Sequence, residues 1–356
     1  MPLTRSAARR SHRALSSDDV LSTVLSFLDP LAGFGAATTS KTMRDAWRRR
    51  CKGMLRFRLR IENVPRYAEG CVAYEEGVMA PDNGRYRNNG SLQTFSADGT
   101  LLSSLNRNLD TPRAVALRGD GTAWVILNDE NEVVCVRLAE LPSDGESEVL
   151  MRISPNAGIS NAGDSRYVFL ESLALAGDSL LVLCSSLEDD AWERRSIYLN
   201  VYDNQTGAFV RKVLLAVENG DGEATGTMAV QGDMLYITRR NSHTVDEYRW
   251  RGMTLMRRFG GGDQRLSFDA PFGIAIRGKT MYVSESLGRQ IQVLRLPDDD
   301  SEPTVLQVIP SPDGQQLGGL CLNGDKLWCV GPKQPPVTSD TVTSDTWVHL
   351  FGPCYE

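Results

Sequence analysis

One unit recurs along most of the chain and limits what it can fold into: a short apolar run, a glycine turn, and a second apolar run. In its clearest copy, Gly273-Ile-Ala-Ile276 leads through Arg277-Gly278-Lys279 to Met281-Tyr-Val283. The same order appears in Ala114-Val-Ala-Leu117 with Ala123-Trp-Val-Ile126, and in Leu173-Ala-Leu175 with Leu180-Leu-Val-Leu183. It returns in Met228-Ala-Val230 with Leu235-Tyr-Ile237, and in Leu320-Cys-Leu322 with Leu327-Trp-Cys-Val330. Short apolar runs bounded by glycine turns read as strands. The turn glycines 119, 177, 232, 278 and 324 are separated by 58, 55, 46 and 46 residues. A repeat of this length with several strands per copy is the signature of a β-propeller.

Each unit continues outward. Third strands follow at 133–138, 197–202, 245–248 and 291–296, and outer strands at 209–215, 254–259 and 304–309. Ahead of the first full unit, 91–95 and 101–105 read as the last two strands of an earlier blade that begins near 71–74. The expectation is a mainly β chain with six blades. The last repeat ends at 347–351 with no fourth strand after it. Leu55-Arg-Phe-Arg-Leu-Arg-Ile61 alternates strictly, as a strand with one wet, basic face does. It is the candidate to close the ring and to cover an otherwise unpaired edge.

Charge divides the chain differently. The net charge is -6, yet residues 1–60 hold 13 basic and 4 acidic side chains, so the remainder carries -15. Residues 1–14 are rich in Arg and Ser without an acid, which suits a disordered basic tail or a transit peptide. From 15 to 51 the pattern turns helical. Ser16 or Ser17 can cap, Asp18 and Asp19 suit a helix N-terminus, and Val20, Leu21, Val24, Leu25 and Leu28 form one apolar stripe before Asp29-Pro30. Helices this short need a larger surface to rest on, either the β domain or a partner. The expected organisation is a tail over 1–14, a helical module over 15–51 and a propeller over 52–356, with 55–61 as closing strand.

Several chemistries are poorly supplied. Seven cysteines lie scattered without a Cys-x-x-Cys, which points to a reduced compartment, cytoplasmic or nuclear, rather than to a zinc site or a disulfide framework. Cys321 and Cys329 are close enough in sequence to face each other across neighbouring strands, although buried free thiols are the expected state. There are three histidines, of which His12 lies in the tail. Gly260-Gly-Gly262 lacks the Lys-Ser/Thr of a phosphate loop and reads as a positive-φ turn. No apolar run reaches the ~18 residues of a membrane span. The basic strand has no aromatic stacking platform for nucleic acid.

Residues 15–47 resemble an F-box. Leu15, an acid at 18 or 19, Val20, Val24, Leu25, Phe27, Leu28, Leu31, Lys41 and Trp47 fit the family pattern, while Ser16 replaces its usual Pro and Gly33 and Gly35 interrupt its middle helix. The resemblance implies docking to the Skp-type adaptor of a cullin ubiquitin ligase through Leu15, Val20, Leu21, Val24, Leu25, Phe27, Leu28, Leu31 and Trp47. The other reading is a helical cap on the β domain. Over 70–356 the repeats resemble NHL propellers. The likeness is strong at Arg258-Phe-Gly-Gly-Gly-Asp263 through Pro271-Phe-Gly-Ile-Ala275 and Tyr282-Val-Ser-Glu285, and weak in the other blades.

Propeller ligands usually meet the face built by the loops after the second strand and before the first. That face is expected to collect Arg113, Asn128, Asp129, Glu171, Arg239, Arg240, Asn241, His243, Phe272, Glu285 and Arg289. The leading expectation is a non-catalytic receptor, with no cofactor, that binds a protein substrate there. The alternative is a metal-dependent lactonase or hydrolase with a helical cap, in which Asn128, Asp129, Glu171, Asn241 and Glu285 converge on a metal.

Overall fold

The structure is a computed structural model. It describes residues 55–64, 70–82, 90–105, 109, 111–128, 130–138, 148–154, 168–187, 194–219, 225–261, 266–299, 301–312, 314–331 and 346–353. The F-box-like segment and Asp129 lie outside the described residues.

Among the described residues, twenty-four strands make six four-stranded sheets. Strand β1 (Leu55–Val64) comes first in the chain. Blade 1 holds β2 (Val72–Tyr74), β3 (Gly77–Asp82), β4 (Ser91–Phe95) and β5 (Leu101–Leu105). Blade 2 holds β6 (Pro112–Leu117), β7 (Thr122–Leu127), β8 (Glu132–Arg137) and β9 (Val149–Ile153). Blade 3 holds β10 (Val168–Ala176), β11 (Ser179–Leu187), β12 (Arg194–Asp203) and β13 (Phe209–Asn219). Blade 4 holds β14 (Thr225–Gln231), β15 (Met234–Arg239), β16 (Thr244–Arg249) and β17 (Thr254–Phe259). Blade 5 holds β18 (Pro271–Arg277), β19 (Thr280–Glu285), β20 (Gln290–Arg295) and β21 (Thr304–Pro310). Blade 6 holds β22 (Leu320–Asn323), β23 (Lys326–Gly331) and β24 (Thr346–Pro353). In the last sheet the order is β1-β24-β23-β22, so the alternating Arg strand from the start of the chain takes the outermost place. The first strands β2, β6, β10, β14, β18 and β22 each neighbour the next, and β22 neighbours β2. This is a six-bladed β-propeller.

The core lies between blades rather than within a single layer. One cluster packs Trp124, Ile126 and Cys135 of blade 2 against Leu180, Cys184 and Tyr198 of blade 3. Others join blade 3 to 4, blade 4 to 5, blade 1 to 2, and blade 6 to 1. A second strand is therefore covered on both faces, which is why β7 is buried along its whole length and reads as an unbroken apolar run.

The outer strands differ. Val210, Leu214, Leu255, Met256, Val305 and Val308 are exposed on β13, β17 and β21. In blades 1 to 5 the third-to-fourth strand pairing carries a register shift, whereas the second-to-third pairing runs without one. Bulges twist an outer strand away from flat edge-to-edge pairing, which suits strands whose apolar side chains face water.

Candidate functional site at the loop-bearing end of the inner strands

The first strands also break register, and at one place. Pairing jumps from Pro112 to Ala114, Leu170 to Ser172, Thr225 to Met228, and Pro271 to Ile274. The residues left out are Arg113, Glu171, Gly226 with Thr227, and Phe272 with Gly273. Three residues expected on the recognition face, Arg113, Glu171 and Phe272, thus sit in bulges, where a side chain is re-aimed out of the pleat.

Hydroxyl groups take up the freed backbone donors. The Thr227 N–H donates to Thr238 Oγ1 at 2.9 Å and the Gly273 N–H to Ser284 Oγ at 2.8 Å. The same hydroxyls reach the following blade, Thr238 donating to the Phe272 carbonyl at 2.6 Å and Ser284 to the Gly318 carbonyl at 2.5 Å. One residue further in, Ser172 Oγ accepts from the Met228 N–H at 3.3 Å and Thr227 Oγ1 from the Ile274 N–H at 3.1 Å. Blades 3, 4, 5 and 6 are stitched in this way. Position 273 must be glycine for the blades to approach, since a Cβ there would lie 2.4 Å from the Gly318 carbonyl oxygen. Between blades 6 and 1 the Gly319 carbonyl faces the Cys71 thiol, with Sγ 3.8 Å away.

The charged candidates are buried and engaged. Arg113 pairs with Glu171 across the blade 2–3 boundary at 3.1 Å and donates to the Leu170 carbonyl at 3.3 Å. Ser185 donates to Glu171 at 2.6 Å, and Arg195 stands 4.0 Å from it. Arg239 is held between Glu218 of blade 3 and Asp246, at 3.3 Å from the latter. Asp246 also accepts from Arg258 Nε at 2.6 Å and from the Tyr248 hydroxyl at 3.2 Å. Burial, with Asp246 beside it, pushes the Tyr248 hydroxyl up to about 12. The hydrogen bond to Asp246 raises Arg258 further. Glu285 has a different setting. It accepts from Gln290 at 2.8 Å and from Gln292 at 2.5 Å, and burial raises its carboxyl above the usual range against those two bonds.

The remaining candidates are loop residues. His243 Nδ1 accepts the Ala270 N–H at 3.0 Å, and Ala270 O accepts the Ser286 N–H at 3.0 Å. The loop after β15 and the loop after β19 are thereby tied through the segment that enters β18. On this tied surface Arg240 lies over the Phe272 ring at 5.8 Å, and Asn241, His243, Leu287 and Arg289 are exposed. Asn128 is exposed at the corresponding loop of blade 2. Asn131 and His243 close four-residue turns and Arg289 a five-residue turn, at φ 51°, 56° and 51°, a conformation that favours Asn or Gly.

Along the axis, Cys71, Ala114, Ser172, Thr227, Ile274 and Gly319 help to line a cavity of about 60 Å³. That is room for about two water molecules. Ligand pockets begin near ~300 Å³. Among the described residues, no group of three or more His, Cys, Asp or Glu is arranged to hold a metal ion. Of the carboxylates expected at such a centre, Glu171 is engaged by Arg113 and Ser185, and Glu285 by Gln290 and Gln292.

Sequence reasoning passed over Ser172, Thr227, Thr238 and Ser284, the residues that stitch the blades, and Asp246, the centre of a buried charge cluster with Arg239 and Arg258. A signal was present for two of them. Ser172 and Thr227 stand directly before the apolar triplet in their copies of the unit.

Comparison with known proteins bears on the fold. No protein-family model matches the chain, and no curated protein matches it in sequence. Solved structures do match. The PQQ-bound aldose sugar dehydrogenase of Streptomyces coelicolor superposes with a TM-score of 0.56 at 12% identity, covering 84% of this chain and 97% of its own. A luciferin-regenerating enzyme gives 0.55 at 11% identity, covering 82% and 94%. U3-55K gives 0.52 at 9% identity, covering 83% and 98%. The likeness is one of fold. Enzymes stand among these propellers, and identities this low carry no activity across.

Proposed function

We propose that this chain is a substrate receptor of a cullin-type ubiquitin ligase. The F-box-like segment docks to a Skp-type adaptor, and the propeller binds a protein substrate at the loop-bearing end of its inner strands. The small axial cavity carries the reading. Among the described residues it has room for about two waters, and the buried ionisable groups Arg113, Glu171, Arg239 and Asp246 are spent on one another. What remains is a tied loop surface with an exposed leucine and arginines, the kind of scaffolded surface on which proteins recognise other proteins. The F-box-like pattern at 15–47 supplies the direction of the proposal.

The test is co-purification of the full chain with a Skp-type adaptor. The expected result is a stoichiometric complex that is lost in the Leu25→Asp, Leu28→Asp double variant while the melting of the propeller is unchanged. A folded parent chain that fails to bind the adaptor would overturn the proposal.

A further inference from the structure

The seam between the last and the first inner strand is built differently from the others. Blades 3 to 6 are joined at their inner bulges by Ser and Thr hydroxyls, whereas at the 6–1 seam the Cys71 thiol faces the Gly319 carbonyl and the Asn323 amide donates to the Glu75 and Gly77 carbonyls. Cys71 is partly buried, lines the axial cavity and packs against the cluster that contains Cys321 of β22. Cys321 lies opposite Trp328, and Cys329 opposite Leu320, so these two cysteines point to opposite faces of blade 6 and are not placed to pair with each other. Cys321 instead has the Cys71 thiol of the neighbouring blade within hydrogen-bonding reach, in the same packed cluster.

We propose that Cys71 and Cys321 form a peroxide-sensitive dithiol whose oxidation closes the ring covalently at its inner seam. The cavity beside Cys71, about 60 Å³, has room for hydrogen peroxide. Cys71 is the site of attack because it lines that cavity, while Cys321 is enclosed and burial holds its thiol well above the ordinary range. The Cys71 thiolate attacks one peroxide oxygen, the O–O bond breaks, and hydroxide leaves a sulfenic acid on Cys71. The Cys321 sulfur then attacks the Cys71 sulfur and gives up its proton, and the sulfenic hydroxyl departs as water. Two thiols and one hydrogen peroxide yield one disulfide and two waters. The bond would join the entry to β2 with β22, neighbours in space but 250 residues apart in the chain, complementing the outer closure in which β1 lies beside β24.

The experiment treats the folded full chain with hydrogen peroxide, blocks remaining thiols, and maps peptides without reduction. The expected result is a Cys71–Cys321 cross-linked peptide that dithiothreitol reverses, with Tm raised by about 5 °C. The Cys329→Ser variant should retain the cross-link. The Cys321→Ser variant should lose it and leave a sulfenic acid on Cys71 that dimedone traps. A Cys71–Cys329 cross-link, over-oxidation of Cys71 without a cross-link, or an unreacted Cys71 would each overturn the proposal.

Discussion

Blades 4 and 5 place opposite charges at one repeat position. Arg239 ends β15 and Glu285 ends β19, each pairing with the first residue of the next strand, Thr244 and Gln290. Both are almost fully buried. Blade 4 neutralises its arginine with carboxylates from two blades, and Asp246 in turn holds Arg258. Blade 5 gives its glutamate two amides and, among the described residues, no cation in ion-pair contact. The position thus calls for a buried polar group with partners in the blade, while the sign of its charge is free. The ion cluster locks blade 3 to blade 4, whereas the amide cluster acts within blade 5 and its preceding linker.

The largest test of this contrast is Asp246→Ala. It leaves Arg239 with Glu218 alone and releases Arg258, and it should cost about 3 kcal/mol in denaturant unfolding. A loss below ~1 kcal/mol would mean that the cluster is not a lock. Gln292→Ala should cost about 1–2 kcal/mol, because it removes one donor from a buried carboxyl.

Glu285→Gln sharpens the comparison through pH. A carboxyl whose native pKa is raised keeps its proton more readily when folded than when unfolded. Folding stability therefore falls as pH rises from the ordinary carboxylate value through the raised one. Thermal melts of parent and variant should agree to within about 0.5 kcal/mol below pH 4. The variant should then gain on the parent as pH rises, with the gain levelling off above the raised value. A constant difference across pH would break the account.

The smallest effect is expected at the turns. Arg289→Asn places in blade 5 the residue that blade 2 already uses at Asn131 in the same conformation, and it should stabilise by about 0.5 kcal/mol. Chemical denaturation resolves this. If Arg289 contributes to substrate recognition, the same variant weakens substrate binding without loss of fold.

Much of the fold was legible because inner and second strands are sandwiched between blades. Burial on both faces writes itself into the chain as continuous apolar runs, such as Ala123-Trp-Val-Ile126. Strand β3 was harder to read, since Gly77 and Pro81 interrupt its pattern although it is buried. Strand β9 is mostly half-buried and carries a mixed signal. At the site, the end of the blade on which Arg113, Glu171, Arg239 and Glu285 gather follows from strand order. Their fate did not follow. Arg113 finds Glu171, and Arg239 finds Glu218, only because neighbouring blades meet.

By itself, the sequence determined the repeat, its strand order and the turn glycines, because these are local demands of burial and backbone conformation repeated in every copy. It also placed a closing strand at the far end of the chain from its sheet. The tertiary structure decided which polar groups are spent on holding blades together, how little space is left on the axis, and that Cys71 meets Cys321 rather than Cys321 meeting Cys329. Those outcomes depend on contacts between residues dozens to hundreds of positions apart, and side-chain pairing across a blade boundary leaves no period in the chain that carries it.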